Sequence, residues 1–436
     1  MSETGITYLL WHDLVGVTRT RAVPTRDLVA RAAHGLGWAC AGQALTPFED
    51  IVDNPWGPMD EARQIPDLDS RFTIPGDADN PEIAAVICNS MTAPGEAWDC
   101  CGRSFLKAAL DDLEAETGLA LVASFEHEFS IEAEGFVPQT PFSFAAARAQ
   151  HAFLVDLESA LTATGVTTYT IEPEYGLAQY EVACAPERGL RAADACLTAR
   201  ETIREVARRH GLAASFTPKP RPDAVGNGAH VHLSLASPEG RNETYDPEDA
   251  LGLSPVAQRF SAGILTHLDA LVALSAPTPI SYYRLGPHHW SCGFRAIGLQ
   301  NREAALRVVP GLGDAESRRR GHNLEFRPAD GTASPYLLLG ALVRAGLEGL
   351  RRDLPLMAPI AQDPADMTPE ARDAAGITVL PASLTAALDS LEADAVARGW
   401  FSENLLATYL ALKRWEASFA ASEPEAEVFA RYRSTY

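Results

Sequence analysis

The sequence predicts an α+β fold, with a small β-rich unit at the N-terminus and then a larger one in which strands alternate with long helices. Three observations carry that expectation. The first hundred residues hold short strand-like runs, 7–11 and 84–89, between Gly/Pro/Asp-rich connections such as Asp53-Asn-Pro-Trp-Gly-Pro. Further on, apolar residues recur at helical spacing over 104–118, 144–164, 190–210 and 384–398. Among those helices lie four strand-like pieces, 119–133, 168–184, 228–235 and 323–328.

A chain of 436 residues exceeds most single cores, so two units are expected, residues 1–100 and 101–436, with the boundary near 93–103. Ser104 is placed to cap the first long helix, which carries Leu106, Ala109, Leu110 and Leu113 on one face and stops at Gly118. No internal period recurs, so a solenoid is not indicated.

Composition narrows the class of function. A hydrophobic fraction of 46% with 22% charged residues is that of a globular protein. The formal charge of −22 repels polyphosphate backbones and anionic membranes, which argues against both as partners. Arg318, Arg319 and Arg320 form the one dense basic run and read as a solvated loop. Seven scattered cysteines without a C-x-x-C pair give neither a disulfide framework nor a zinc knuckle. The N-terminus, Met1-Ser-Glu-Thr-Gly, has no basic and apolar leader pattern, and the most apolar stretch, 336–350, is broken by Arg344 and Glu348. A cytoplasmic protein is expected.

The chemistry lies on the four strand-like pieces. In Ser124-Phe-Glu-His-Glu-Phe-Ser, side chains at i and i+2 share a face, so Glu126 and Glu128 point together while Phe125, His127 and Phe129 point away. One such pair is the ordinary wet face of a strand, but the pattern repeats. Glu174 precedes a turn at Gly176, and Gln179 and Glu181 then share a face. His230 and His232 follow Gly226-Asn-Gly at i, i+2, and Glu325 and Arg327 alternate with Leu324 and Phe326.

Faces built almost wholly from Glu, His, Arg and Gln repel one another unless a cation lies between them. Carboxylates with one imidazole suit Mg²⁺ or Mn²⁺, ions that bridge phosphate oxygens, so Glu126, Glu128, Glu174, Glu181, His230 and Glu325 are read as a divalent-metal site for phosphoryl transfer from ATP. Arg302 and Arg307 supply guanidinium forks for phosphate or carboxylate. No Walker-type lysine loop or kinase motif is present.

Taken in order, Glu-x-Glu (126, 128), Glu-(x)6-Glu (174, 181), Gly-Asn-Gly-x-His-x-His (226–232), Ser-Tyr-x-Arg-Leu (281–285), Asn-Arg-(x)4-Arg (301–307) and Glu-x-Arg (325–327) resemble the motifs of the glutamine synthetase family. The match runs from about Ser104 to the C-terminus, and the first hundred residues resemble that family's N-terminal domain more faintly. The resemblance implies a small β-grasp domain, then a catalytic domain whose curved antiparallel sheet, a half-barrel, is backed by helices. It also implies ATP, two or three Mg²⁺ or Mn²⁺ ions per site, glutamate as a substrate, and a homo-oligomer of stacked rings, dodecamer-like. By the same resemblance, Glu128, Glu174 and Glu181 hold one ion, and Glu126, His230 and Glu325 a second. His232, Arg302, Arg307 and Arg320 match nucleotide-phosphate contacts, while Gly226, Arg284 and Arg327 match positions that hold glutamate. Arg302, Glu325 and Arg327 are the residues expected closest to the chemistry.

Two departures bear on the nucleophile. Family members that use ammonium carry an Asp-Gly-Ser-Ser-like segment near the N-terminus, whereas residues 35–43 here contain no acid. They also use a glutamate six residues beyond the arginine of Ser-Tyr-x-Arg-Leu, where this chain has Trp290. An indole offers an apolar or cation–π wall in place of a carboxylate. The expected reaction is therefore ATP-dependent condensation of glutamate with an organic primary amine to a γ-glutamylamide, with His288 and His289 as candidate bases. A polyamine would call for further acids near its distal ammonium, so a small or partly apolar amine is favoured. The competing readings are ammonium-using glutamine synthetase, a non-catalytic scaffold, which the intact acids disfavour, and an acid substrate other than glutamate.

Overall fold

A computed structural model describes residues 5–92 and 95–436. Met1-Ser-Glu-Thr of the expected leaderless terminus, and Ala93 and Pro94 at the start of the expected boundary, lie outside the described residues. Among the described residues no helix is long and apolar enough to cross a membrane, and all seven cysteines are buried and unpaired.

The N-terminal sheet contains β1 (Ile6–His12), β2 (Thr18–Pro24), β3 (Leu36–Ala39), β4 (Glu61–Pro66), β5 (Phe72–Ile74) and β6 (Ile83–Met91). They run in the order β2-β1-β6-β4-β3, with β5 also on β6. β1 and β6 are parallel, a pairing set between segments some seventy residues apart. The long connection is needed because parallel neighbours cannot be joined by a tight hairpin.

The second sheet positions the site. Its strands are β7 (Ala120–Glu132), β8 (Thr168–Pro173), β9 (Gln179–Cys184), β10 (Glu187–Arg188), β11 (Ala213–Ser215), β12 (Val231–Ala236), β13 (Phe294–Leu299), β14 (Ala304–Val309), β15 (Asn323–Phe326) and β16 (Thr378–Val379). The order is β16-β13-β14-β15-β12-β7-β9-β8, with β10 and β11 added on β7. Pairing is antiparallel except between β13 and β14. One face of this curved sheet is covered by helices, among them Gly102–Thr117, Pro255–Thr266 and Pro335–Arg351. The last two touch backbone to backbone: a Cβ on Gly263 would lie 2.0 Å from the Ala345 carbonyl oxygen, and one on Gly349 2.0 Å from that of Arg259.

Several boundaries differ from the sequence expectation, each for a local reason. The helix expected to be capped by Ser104 starts earlier, at Gly102, with Cys101 as its cap; the Cys101 sulfur accepts from the Ser104 N–H at 3.5 Å. Arg103 fixes that start, because its buried guanidinium donates to Asp194 at 3.0 and 2.7 Å, to Asn89 at 2.7 Å and to Asp67 at 2.8 Å. The helix expected over 144–164 is two, Phe144–Ala149 and His151–Ala163. The Tyr180 hydroxyl takes the Ala146 carbonyl at 3.0 Å, the acceptor that the Gln150 N–H would need to continue an α-helix. The helix over 384–398 breaks at Asp394, whose carboxylate caps the next turn and meets His267 Nδ1 at 2.6 Å. The strand-like piece over 168–184 is the hairpin β8–β9, with its turn at Gly176 as expected, whereas the strand expected to begin at 228 begins at Val231, so His230 lies just before β12. The strands β13 and β14 were not expected at all.

Candidate active site

β7 is the axis of the site. Phe125, His127 and Phe129 are buried against the core, and Glu126 and Glu128 emerge on the opposite face, as strand alternation requires. Across the ladders Glu181 on β9 is the register partner of Glu128, and Glu172 on β8 is that of Glu181. Three acids therefore form a row on adjacent strands. Glu174, just past β8, joins them: Glu172, Glu174 and Glu181 each offer an oxygen within 4.8 Å of the others. Burial and the charges of Glu126 and Glu128 push the Glu181 carboxyl up to about 10. Burial and Glu128 push Glu174 up to about 7. A row that resists ionisation this strongly lacks a counter-charge, and a divalent cation would supply it.

The other side of β7 carries the histidines. His232 is the register partner of Ser124 on β7 and of Glu325 on β15. Glu126 is clamped between two imidazoles, with His230 Nδ1 3.0 Å and His232 Nε2 2.9 Å from its two oxygens. Burial alone would raise its pKa, yet these bonds hold the Glu126 carboxyl well below the usual range. In return, the bond to Glu126 overrides burial and holds His232 up at about 9. Glu126, His232 and Glu325 make a second group of donors within 4.8 Å of one another. His230 Nδ1 also lies 3.7 Å from Glu128 and 3.8 Å from Glu325.

Glu325 is almost fully buried, and its oxygens accept from Arg307 at 2.7 Å and from Arg327. The Arg327 guanidinium, with His230 and His232, outweighs burial and keeps the carboxyl low. Arg327 also donates through Nε to the Arg302 carbonyl at 2.8 Å and through Nη2 to the Trp290 carbonyl, so one buried side chain ties β15 to two loops.

Glycines bring a further loop close. A Cβ on Gly228 would fall 2.6 Å from Arg284 Nη2 and 3.0 Å from His230 Nε2, and one on Gly226 2.8 Å from Arg284 Cγ. The Gly228 N–H donates to Glu128 at 2.8 Å, and Gln179 Nε2 bridges Glu128, the Gly226 carbonyl and Asn227 at 3.1, 2.8 and 2.9 Å.

Most of these groups open on a cavity of about 1010 Å³. Glu126, Glu128, Glu174, Glu181, Gly226, His230, Arg284, Trp290, Arg302, Arg307 and Arg327 line it. His232 and Glu325 stand behind that lining, within bonding distance of Glu126 and Arg327 respectively. Arg320 does not line it; it is exposed on the helix Ala315–Gly321, so the basic run is helical where a loop was expected.

The opposite wall is a loop. His288, Trp290 and Cys292, none a glycine, all hold left-handed backbone, with φ of 61°, 53° and 63°. Three contacts keep this strained segment in place: the Trp290 N–H donates to Glu303 at 2.8 Å, Arg327 holds the Trp290 carbonyl, and the Ser291 hydroxyl donates to the Arg284 carbonyl at 2.6 Å. The Trp290 ring, 59% exposed, faces Tyr175 at 6.4 Å between centroids, and Tyr175 faces Phe142 at 6.3 Å. The mouth of the cavity is therefore aromatic.

The sequence matches the family model described as "Glutamine synthetase N-terminal domain" over residues 3–98 and the one described as "Glutamine synthetase, catalytic domain" over residues 99–432. The chain belongs to the glutamine synthetase family. This family member is 36% identical to gamma-glutamylpolyamine synthetase GlnA3 of Streptomyces coelicolor, over 98% of this chain and 93% of that one. Among solved structures it is similar to one described as a novel glutamine synthase homolog, with a TM-score of 0.92, 39% identity and coverage of 100% of this chain and 99% of that chain. It is also similar to the GmaS/ADP complex, with a TM-score of 0.84, 27% identity and coverage of 98% and 96%. Like its relatives, it is a ligase of this family.

Two acids of this member escaped the sequence reading. Glu172 is one; the i, i+2 pair Glu172-Pro-Glu174 carried the same signal as Glu126 and Glu128. Glu303 is the other. It sits between Arg302 and β14, a lone acid with no i, i+2 partner to mark it.

Proposed function

We propose that the protein is a glutamate–amine ligase, joining the γ-carboxyl group of glutamate to an organic primary amine with ATP converted to ADP and phosphate. The observation that carries this reading is Trp290 and its aromatic neighbours at the cavity mouth, where a carboxylate would serve ammonium. The name of the Streptomyces coelicolor relative supports an organic amine as the nucleophile.

In this reading Arg284, Arg327 and the Gly226 backbone hold glutamate beside the acidic row. A γ-carboxylate oxygen attacks the γ-phosphorus of ATP, and ADP leaves. Arg302 and Arg307 face the transferring phosphoryl group and balance its charge. The amine nitrogen then attacks the acyl carbon, phosphate departs with the bonding pair, and one N–H proton is lost to a base. His289 is suited to take it: its Nδ1 lies 3.3 Å from the Arg284 carbonyl oxygen, which can only accept, so in the neutral ring Nε2 keeps the lone pair. His288 is less suited, its Nδ1 being paired with Asp363 at 3.0 Å. Glu128, Glu174 and Glu181, and Glu126, His230 and Glu325, are the residues that would hold Mg²⁺ or Mn²⁺, with His232 at the second group. Divalent ions bound there supply charge neutralisation for the phosphate oxygens. The aromatic mouth and bound amine exclude water from the acyl phosphate.

Phosphate release with glutamate, ATP and a panel of amines tests the reading. An organic amine is expected to exceed ammonium in kcat/KM; ammonium in first place would overturn it in favour of a glutamine synthetase.

A further inference from the structure

A second cavity, with a volume of about 510 Å³, shares part of its lining with the first. His288, Trp290 and Arg302 line both cavities, so the two spaces meet at these side chains. Glu303 and Asp363 also line the smaller one. Glu303 keeps only 6% of its surface exposed. One of its oxygens accepts from the Trp290 N–H, and the other, buried, has no hydrogen-bond partner among the described residues. Asp363 spends one oxygen on the Ala365 N–H at 2.7 Å and the other on His288. Burial pushes the Glu303 carboxyl up against the pull of the Trp290 N–H, and the charge of Asp363 adds to the rise. Two carboxylates thus share a concave space, and one of them keeps a buried oxygen that no group among the described residues satisfies. Such a group is costly unless a donor or cation completes it. The one guanidinium on the lining, Arg302, is exposed and belongs equally to the larger cavity.

We propose that this cavity is a subsite for a distal ammonium group, so that the preferred nucleophile is a di- or polyamine whose chain runs past Trp290. The proposal rests on the glutamate–amine ligase reading and names its substrate class. The reacting nitrogen stands in the larger cavity, the chain crosses the aromatic wall, and the far ammonium reaches Glu303 and Asp363, with the indole face adding cation–π attraction along the way. Sequence alone favoured a small or partly apolar amine because no distal acids were visible. Glu303 and Asp363 are far apart in the chain and meet only in the fold.

The experiment compares n-alkylamines with α,ω-diaminoalkanes of equal length in the phosphate-release assay, for the wild-type protein, Glu303→Gln and Asp363→Asn. Glu303→Gln keeps an acceptor for the Trp290 N–H while removing the charge, and Asn at 363 can still accept from the Ala365 N–H. The wild type is expected to prefer the diamine by about tenfold or more in kcat/KM, and each variant to cut that preference by about tenfold, through KM for the diamine. Should one variant fail to fold by thermal unfolding, the other carries the test. Equal use of mono- and diamines by the wild type, or a preference unchanged in the folded variants, overturns the subsite and leaves the ligase reading standing. Turnover with ammonium alone overturns both.

Discussion

The two walls of the main cavity are built in opposite ways. On the sheet wall, most of the acids sit on ladders whose register places them, as Glu181 opposite Glu128 and Glu172 opposite Glu181, and buried partners such as Arg327 lock the side chains behind. On the loop wall, Trp290 is exposed, carried by strained backbone, and held by contacts to its main chain rather than its ring. The difference teaches where each kind of chemistry can reside. Neutralising a transferring phosphoryl group needs charges fixed by rigid elements, whereas choice of nucleophile can be left to a segment whose side chains are free to vary.

If the division is real, truncation should hurt the two walls unequally. Glu128→Ala is expected to lower kcat for phosphate release by about 10³, with every nucleophile alike, whereas Trp290→Ala should stay within about tenfold of wild type. Equal losses at both positions would break the comparison. Trp290→Glu should instead move the ratio of kcat/KM for ammonium over amine upward by roughly 10–100-fold, read from the same panel. Within the sheet wall, Glu172 stands at the exposed end of the acidic row, so Glu172→Gln should raise the Mg²⁺ or Mn²⁺ concentration for half-maximal activity by only about tenfold.

The smallest expected effect is on stability. Burial and neighbouring carboxylates hold Glu174 up at about 7 and Glu181 up at about 10, so from the ordinary glutamate range up to those values the folded chain keeps protons that the unfolded chain has lost. Their contribution to stability is present below about pH 4.5 and is lost as pH rises through 7 toward 10. A fixed concentration of Mg²⁺ or Mn²⁺, about 100 times Kd at pH 8.5, should restore roughly 3 kcal/mol there, a gain of several degrees in Tm that shrinks at pH 6, where protons compete for the acids. Thermal unfolding with chelator and with ion checks this. An ion-induced gain equal at both pH values would detach the ion from the acidic row.

How much of this was legible depends on the range of the interaction. That Glu126 and Glu128 face together, with Phe125 and Phe129 behind them, follows from the period of a strand, and so do Glu181 beside Gln179 and Glu325 beside Arg327. The order of these motifs along the chain was enough to indicate the family. Local patterns could not show that Tyr180 takes the Ala146 carbonyl and splits a helix, or that Arg103 moves a helix start ahead of Ser104, because those partners lie far away in sequence. The same holds at the site. Sequence by itself determined which side chains carry charge and which face of each strand they occupy, since alternation is a property of the backbone. Only the tertiary structure decided that Glu126 lies between two imidazoles, that Arg327 holds the Trp290 loop, and that Glu303 meets Asp363, because strand register and loop packing are settled by contacts between distant segments.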